Sequence, residues 1–103
     1  MYKLEFLPLA RQDMVEIAQY ISHELKNPAA ARRLSNNLIE AAERLTEFPY
    51  LYAVHLPSRP LKREYRKISI ENYCIFYSVD EKTKTVTVAR VIYVGRHYER
   101  MLE

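Results

Sequence analysis

The sequence predicts an α+β fold in the order β-α-α-β-β-β, with an optional last helix. A helical hairpin is expected to pack on one face of a small, mainly antiparallel sheet. Three observations predict it. Apolar residues recur at steps of three and four between Ala10 and Phe48, then at steps of two from Glu64 onward. Only Asn27-Pro28 separates the two helical stretches, so they must turn back on each other. The whole chain, residues 1–103, has the size of a single domain, and its 49% hydrophobic and 28% charged residues can form one core without staples.

Each element follows in order. Tyr2 to Leu7 alternates and stops before Pro8, which reads as a strand. From Ala10, Met14, Ile17, Ala18, Ile21 and Leu25 share one helical face, with Gln12, Glu16, Gln19 and Ser22 outside it. Asn27 suits an N-cap and Pro28 the first helical position, where its missing N–H costs nothing. Ala31, Leu34, Leu38, Ala41, Leu45 and Phe48 then carry a second helix up to Pro49. Three prolines, Pro49, Pro57 and Pro60, mark residues 49–61 as an irregular connector. Glu64 to Ile70 reads as a strand, with Glu71-Asn72 as a tight turn in which Asn72 tolerates positive φ. Tyr73 to Val79 is rich in β-formers on both faces and reads as a central strand. Asp80 to Lys84 is a polar hairpin loop. Thr85 to Val94 is the longest strand, with Val86, Val88, Ile92 and Val94 expected on one side. Gly95 ends it, and Arg96 to Leu102 is the optional helix. The first strand should join the sheet beside the last.

Composition excludes several classes of function. The lone Cys74 forms no intramolecular disulfide, and the lone Gly95 rules out a glycine-rich phosphate loop. His23 and His55 lack the Asp, Glu or Cys company of a metal site, so neither metal nor cofactor is expected. No apolar run approaches a membrane span, and Met1 to Glu5 shows no export signal, which makes the cytoplasm the expected compartment. Glu40, Glu43 and Glu47 have the spacing of a solvated helix face.

Charge and aromatic rings gather in the second half. Residues 1–51 carry six Lys/Arg and seven Asp/Glu, whereas residues 52–103 carry ten and six. Arg59, Lys62, Arg63, Arg66 and Lys67 place five cations within nine residues, and Arg96-His97-Tyr98 follows the last strand. Such a half is suited to an anionic partner. Seven of the nine tyrosines also lie beyond residue 49, a pattern that fits both a large interface and core packing. If Arg66 shares a face with Ile68 and Ile70, it borders apolar neighbours and needs a partner. Arg90, at the parity of Val88 and Ile92, needs one too, a carboxylate of the chain or of a binding partner.

Four segments together carry a resemblance over nearly the whole chain. They are Ala10-Arg-Gln-Asp-Met-Val-Glu-Ile-Ala-Gln-Tyr-Ile21; Asn27-Pro-Ala-Ala-Ala31 through Leu45-Thr-Glu-Phe-Pro49; Tyr65-Arg66-Lys67-Ile68 with Tyr73-Cys-Ile-Phe-Tyr77; and Val91-Ile-Tyr-Val-Gly-Arg-His97. In order and spacing they resemble the RelE/ParE superfamily of bacterial type II toxin–antitoxin toxins. The resemblance implies a cognate antitoxin in a hetero-oligomer, and one of two modes of action. RelE-like members cut messenger RNA on the ribosome, while ParE-like members inhibit DNA gyrase and are not nucleases.

One residue separates these branches. Metal-free RNA cleavage needs a base or cations at the ribose hydroxyl, positive charge on the phosphate and an acid for the leaving oxygen. RelE-like toxins commonly place an arginine just after the aromatic opening the central Tyr-x-x-x-Tyr strand. Here that position is Cys74, which resembles the ParE-like branch, and a thiol cannot clamp phosphate as a guanidinium does. Cys74 itself reads as a small packing residue rather than a nucleophile. The favoured reading is therefore a binding protein rather than an enzyme. If it is a nuclease, Arg63, Arg66, Lys67, Arg96, His97 and Tyr98 are the catalytic candidates. Arg59, Lys62, Arg63, Arg66, Arg90 and Arg96 are the candidates for binding target or antitoxin. A relative that has lost toxicity and only binds its partner is the third reading.

Overall fold

In the computed structural model, which describes residues 1–57, 61–95 and 102, two helices pack on a four-stranded mixed sheet. Strand β1 (Lys3–Phe6) leads into helix α1 (Pro8–Gln19), which widens into a π-helical turn over Tyr20–Glu24. Helix α2 (Pro28–Arg44) follows, then strands β2 (Arg66–Ile70), β3 (Tyr73–Asp80) and β4 (Thr85–Tyr93). The sheet order is β1-β4-β3-β2, with β1 parallel to β4 and the other pairs antiparallel. The α+β class, the element order and the place of β1 beside β4 are those expected. The optional last helix lies outside the described residues except for Leu102, which is buried.

Local chemistry explains the helix ends. Pro8 opens α1 rather than merely ending β1, so the helix starts two residues before Ala10. Asn27 caps α2 as expected, its side-chain oxygen accepting the Ala30 N–H at 3.1 Å. Between the helices, the Leu25 N–H reaches the Tyr20 carbonyl at 3.2 Å, a five-residue step. Lys26 then takes φ 53°, and the Asn27 N–H closes on the Ile21 carbonyl. This widened turn carries Leu25 off the apolar face, where the periodicity had placed it, into solvent. Phe48 is likewise exposed, because α2 ends at Arg44 and the chain tightens into turns before Pro49.

The connector is less irregular than its prolines imply. Residues 53–55 run beside residues 65–67: Val54 bridges Arg66, and the His55 N–H bonds the Tyr65 carbonyl at 2.8 Å. They cover the outer edge of β2. In the β2–β3 turn the left-handed residue is Glu71, with φ 53°, rather than Asn72.

A β-bulge in β4 sets the two faces of the sheet. Tyr77 pairs with Val88, but Phe76 pairs with Arg90, leaving Ala89 as an extra residue. The helix-side core holds Leu34, Leu38, Leu45, Ile68, Ile75, Tyr77, Val86, Val88 and Val91. The opposite face holds Tyr65, Cys74, Phe76, Ala89, Ile92 and Leu102. Ile92 therefore lies across the sheet from Val86 and Val88, contrary to simple alternation, because one inserted residue inverts the parity beyond it.

The same bulge meets α1. β1 pairs with β4 only as far as Phe6–Val88, because Pro8 turns the chain into a helix. Beyond that point Asp13 takes over the edge. Its carboxylate accepts the Val91 N–H at 2.9 Å and the Arg90 Nε and Nη2 at 2.7 and 2.8 Å. Arg90 thus finds its carboxylate within the chain. The pair is nearly buried, with side chains 13% and 10% exposed for Arg90 and Asp13, and the hydrogen bonding to Asp13 raises the Arg90 pKa further.

Removing Asp13 takes the carboxylate from a nearly buried guanidinium and the acceptor from a buried backbone N–H. Asp13→Ala is expected to cost about 3 kcal/mol in urea unfolding. The double variant Asp13→Ala/Arg90→Met should lose less than Asp13→Ala alone, since no buried charge is then unpaired. A single-variant loss below about 1 kcal/mol would show that the clamp is not a determinant of the fold.

Candidate functional site

Alternation along β2 divides the expected cationic cluster. Arg66 shares the helix side with Ile68, whereas Lys67 follows Tyr65 onto the opposite face. Lys62 and Arg63 lie in the segment leading to that opposite face. They border a shallow cavity of about 310 Å³ together with Tyr65, Ser78, Thr87 and Leu102. Cys74 sits within the apolar cluster of this face, 3% exposed, its sulfur 4.0 Å from Ser69 Oγ. The buried Tyr65 hydroxyl donates to the Leu102 carbonyl at 3.4 Å, tying the chain's end over it. The centre of the face is thus hydrophobic and buried, and Lys62, Arg63 and Lys67 come from the single segment that runs into β2.

Arg66 is engaged elsewhere. Its Nη1 donates to the Tyr52 carbonyl at 2.7 Å, and its guanidinium lies 4.9 Å from the centre of the Tyr50 ring. The mate it finds is a carbonyl and an aromatic face, rather than the carboxylate considered from sequence. Tyr50 continues the network by donating a hydrogen bond to Glu81. Tyr2 and Lys84 donate to the same carboxylate, each at 2.6 Å. Hydrogen bonds from Lys84, Tyr2 and Tyr50 lower the Glu81 pKa from 4.5 to about 2. The bond to Glu81 in turn pushes the Tyr50 phenol up to about 12. At neutral pH both groups therefore hold their protonation states, which makes them a tether rather than an acid–base pair. Sequence reasoning missed this cluster, as Glu81 lies 79 and 31 residues from Tyr2 and Tyr50 and looked like one more hairpin-loop charge.

Among the other candidates, Arg90 is held by Asp13. Arg59, Arg96, His97 and Tyr98 lie outside the described residues. Among the described residues no three His, Cys, Asp or Glu side chains converge as metal ligands, and no helix is long and apolar enough to cross a membrane.

A second concave surface was not located from sequence. It lies between α1 with its π turn and the end of β4, has a volume of about 640 Å³, and is lined by Glu16, Ile17, Tyr20, Leu25, Tyr73 and Tyr93 among others. The Tyr73 and Tyr93 rings meet edge to face at 5.7 Å. Burial, and then the neighbouring Tyr93 and Tyr20, raise the Tyr73 pKa, so this ring stays neutral.

Known proteins with this arrangement share one theme. The sequence profile of the ParE toxin of the type II toxin–antitoxin system parDE matches residues 4–98. Among solved structures, the chromosomal ParDE system from P. aeruginosa superposes with a TM-score of 0.73 at 19% identity, over 91% of this chain and 97% of that one. The RelBE2 toxin–antitoxin complex of Mycobacterium tuberculosis gives 0.61 at 22% identity, over 89% and 96%. The isolated E. coli RelE toxin gives 0.56 at 21% identity, over 98% and 93%. At these identities the structural likeness is one of fold. No protein of curated function matches significantly.

The Glu81 network generates a pH test. Its carboxylate has a lower pKa folded than the ordinary 4.5, so its contribution to stability is fully present above that value and is lost as pH falls toward about 2. Thermal unfolding of wild type and Glu81→Gln should therefore differ at pH 6 and converge near pH 2. The gap at pH 6 should shrink in high salt, because the cluster is exposed. A gap that persists unchanged at pH 2 would assign the stabilisation to something other than the ionised carboxylate.

Proposed function

Since the chain belongs to the ParE toxin family of type II toxin–antitoxin systems, we propose that it halts growth by binding DNA gyrase rather than by cutting message. A partner antitoxin neutralises it. The observation that carries this reading is the buried apolar cluster on the sheet face away from the helices. Where RelE-like nucleases commonly carry an arginine, this chain buries Cys74 among Tyr65, Phe76, Ile92 and Leu102. Arg66 points away to Tyr50 and Tyr52, so it and Lys67 cannot close on one phosphate from opposite sides of a sheet. The acid and base of the described network, Tyr50 and Glu81, are locked in unreactive protonation states.

Lys62 and Arg63, which border the shallow cavity on this face, and Lys67 of β2 instead suit a macromolecular surface with acidic groups. Arg59 and Arg96 are proposed, from the sequence, to contribute to binding as well. The neutralising antitoxin is supported by the relatives of like fold, two of which are toxin–antitoxin systems or complexes. Binding energy on such a surface is shared among several residues, so no single truncation should act as a switch.

The test is induction in growing cells, with message ends mapped beside a supercoiling assay on purified gyrase. Loss of supercoiling without codon-phased cuts is expected. Arg63→Ala and Lys67→Ala should each weaken inhibition by about tenfold or less. Cys74→Ala should cost about 1 kcal/mol of stability and retain growth inhibition. Phased cuts in translated message that disappear in His97→Ala, a loss on the order of a hundredfold, would replace this reading with the ribosome-dependent nuclease. A chain harmless in cells that still binds its antitoxin would identify a relative that has lost toxicity.

A further inference from the structure

The groove between the π turn and the end of β4 has a chemistry opposite to that of the cationic sheet face. Its walls carry three phenol rings, Tyr20, Tyr73 and Tyr93, and the carboxylate of Glu16. Among the described residues no Lys or Arg lines it, although Arg90 lies near enough to Glu16 for the two charges to interact. Its other carboxylate, Asp13, is already neutralised by Arg90. The Gln12 amide donates to Glu16 Oε1 at 2.9 Å and so steadies that carboxylate on the wall.

The groove is also built to be open. The five-residue turn swings Tyr20 and Leu25 outward, leaving them 54% and 57% exposed, and Tyr93 is 48% exposed. These rings and the Leu25 side chain form a continuous exposed apolar rim of the kind that marks an interaction surface. Widened helical turns recur at functional sites. β1 does not pair with β4 beyond Val88, so the floor of the groove is a strand edge. The Val94 N–H bonds back to Asn72, and alternation turns the Tyr93 N–H the other way, toward the groove.

We propose that this groove seats a basic side chain, arginine or lysine, carried next to an apolar residue on the neutralising antitoxin. The inference rests on the antitoxin reading above and adds the chemistry of the contact. Charge complementarity selects the occupant. Electron-rich ring faces with one carboxylate attract a cation and repel an acidic segment. The apolar neighbour of that cation covers Leu25. The antitoxin thus needs two kinds of segment, one acidic for the cationic sheet face and one basic for the groove.

The experiment titrates the antitoxin encoded beside this gene, purified separately, into the full chain by calorimetry. Glu16→Lys, Tyr20→Ala and Tyr93→Ala are compared with wild type, and Glu40→Lys on the outer side of α2 serves as a charge control. Circular dichroism and thermal unfolding establish that each variant is folded. All three groove substitutions lie at exposed positions, so folding is expected to survive. Each groove variant should bind about tenfold or more weakly, and Glu40→Lys should stay within about twofold. An antitoxin whose groove-seated arginine or lysine is changed to glutamate should regain affinity for Glu16→Lys. Equal affinity across wild type and all three groove variants overturns the groove proposal and leaves the antitoxin reading standing. Variants that alter self-association in sedimentation, but not antitoxin affinity, assign the groove to a second copy of this chain instead. Failure of the antitoxin to bind wild type overturns the antitoxin reading itself, and the groove assignment with it.

Discussion

A carboxylate that makes three hydrogen bonds holds this molecule in register. Pro8 starts a helix where β1 would otherwise continue, so β4 is left with a bare edge just past Val88. Asp13, one and a half turns into that helix, supplies the acceptor that a longer β1 would have given to the Val91 N–H. Arg90 matches the charge with a two-point contact. The two-point contact neutralises both charges, and both side chains are nearly out of solvent. The position of α1 over the sheet, and hence of everything α1 carries, follows from this contact.

The bulge at Ala89 has as large an effect on chemistry as on shape. Without the extra residue, Ile92 would join the helix-side core and Val91 would take its place on the opposite face. With it, Ile92 and Ala89 join Cys74, Phe76 and Tyr65 on that face. Val91 meanwhile returns to the helix-side core, and its N–H lies where Asp13 can accept it. One inserted residue thus decides which apolar side chain of β4 each face receives, and it presents the Val91 N–H to the Asp13 clamp. Alternation in β2 completes the separation by sending Arg66 and Lys67 to opposite sides.

What could be read from the residues was whatever repeats locally. The helical period, the Asn27-Pro28 cap and the β-rich runs each recur within a few positions, and the α+β order follows from them. Cys74 also announced itself, because its chemistry differs from the arginine that the resemblance led one to expect. The remaining features depend on partners far apart in sequence or on a single inserted residue. Nothing local marked Asp13 as the carboxylate expected for Arg90, since the two lie 77 residues apart. Nothing in Ala89-Arg90 marks a bulge, so the strand's parity was carried one residue too far. The π turn has no composition of its own, and it alone moved Leu25 from the core into the rim of a groove. The tyrosine count pointed to an interface, but only the fold brings Tyr20 from the first helix beside Tyr73 and Tyr93.

These features together bear on the proposed reading of the chain as a binding protein rather than an enzyme. A catalytic centre requires several groups to converge on one atom, and the effects of removing them are steep and non-additive. Here the cations are divided between two sheet faces, and the shifted phenol and carboxylate are fixed in one ionic state. A binding surface has a looser requirement: an apolar centre that excludes water and charges placed to orient a partner. The groove of Tyr20, Tyr73 and Tyr93 offers partly exposed rings beside a carboxylate, and the sheet face around Cys74 offers Lys62, Arg63 and Lys67 beside an already buried apolar cluster. Two surfaces of opposite character give a single partner a reason to wrap the molecule, since neither surface satisfies both an acidic and a basic segment.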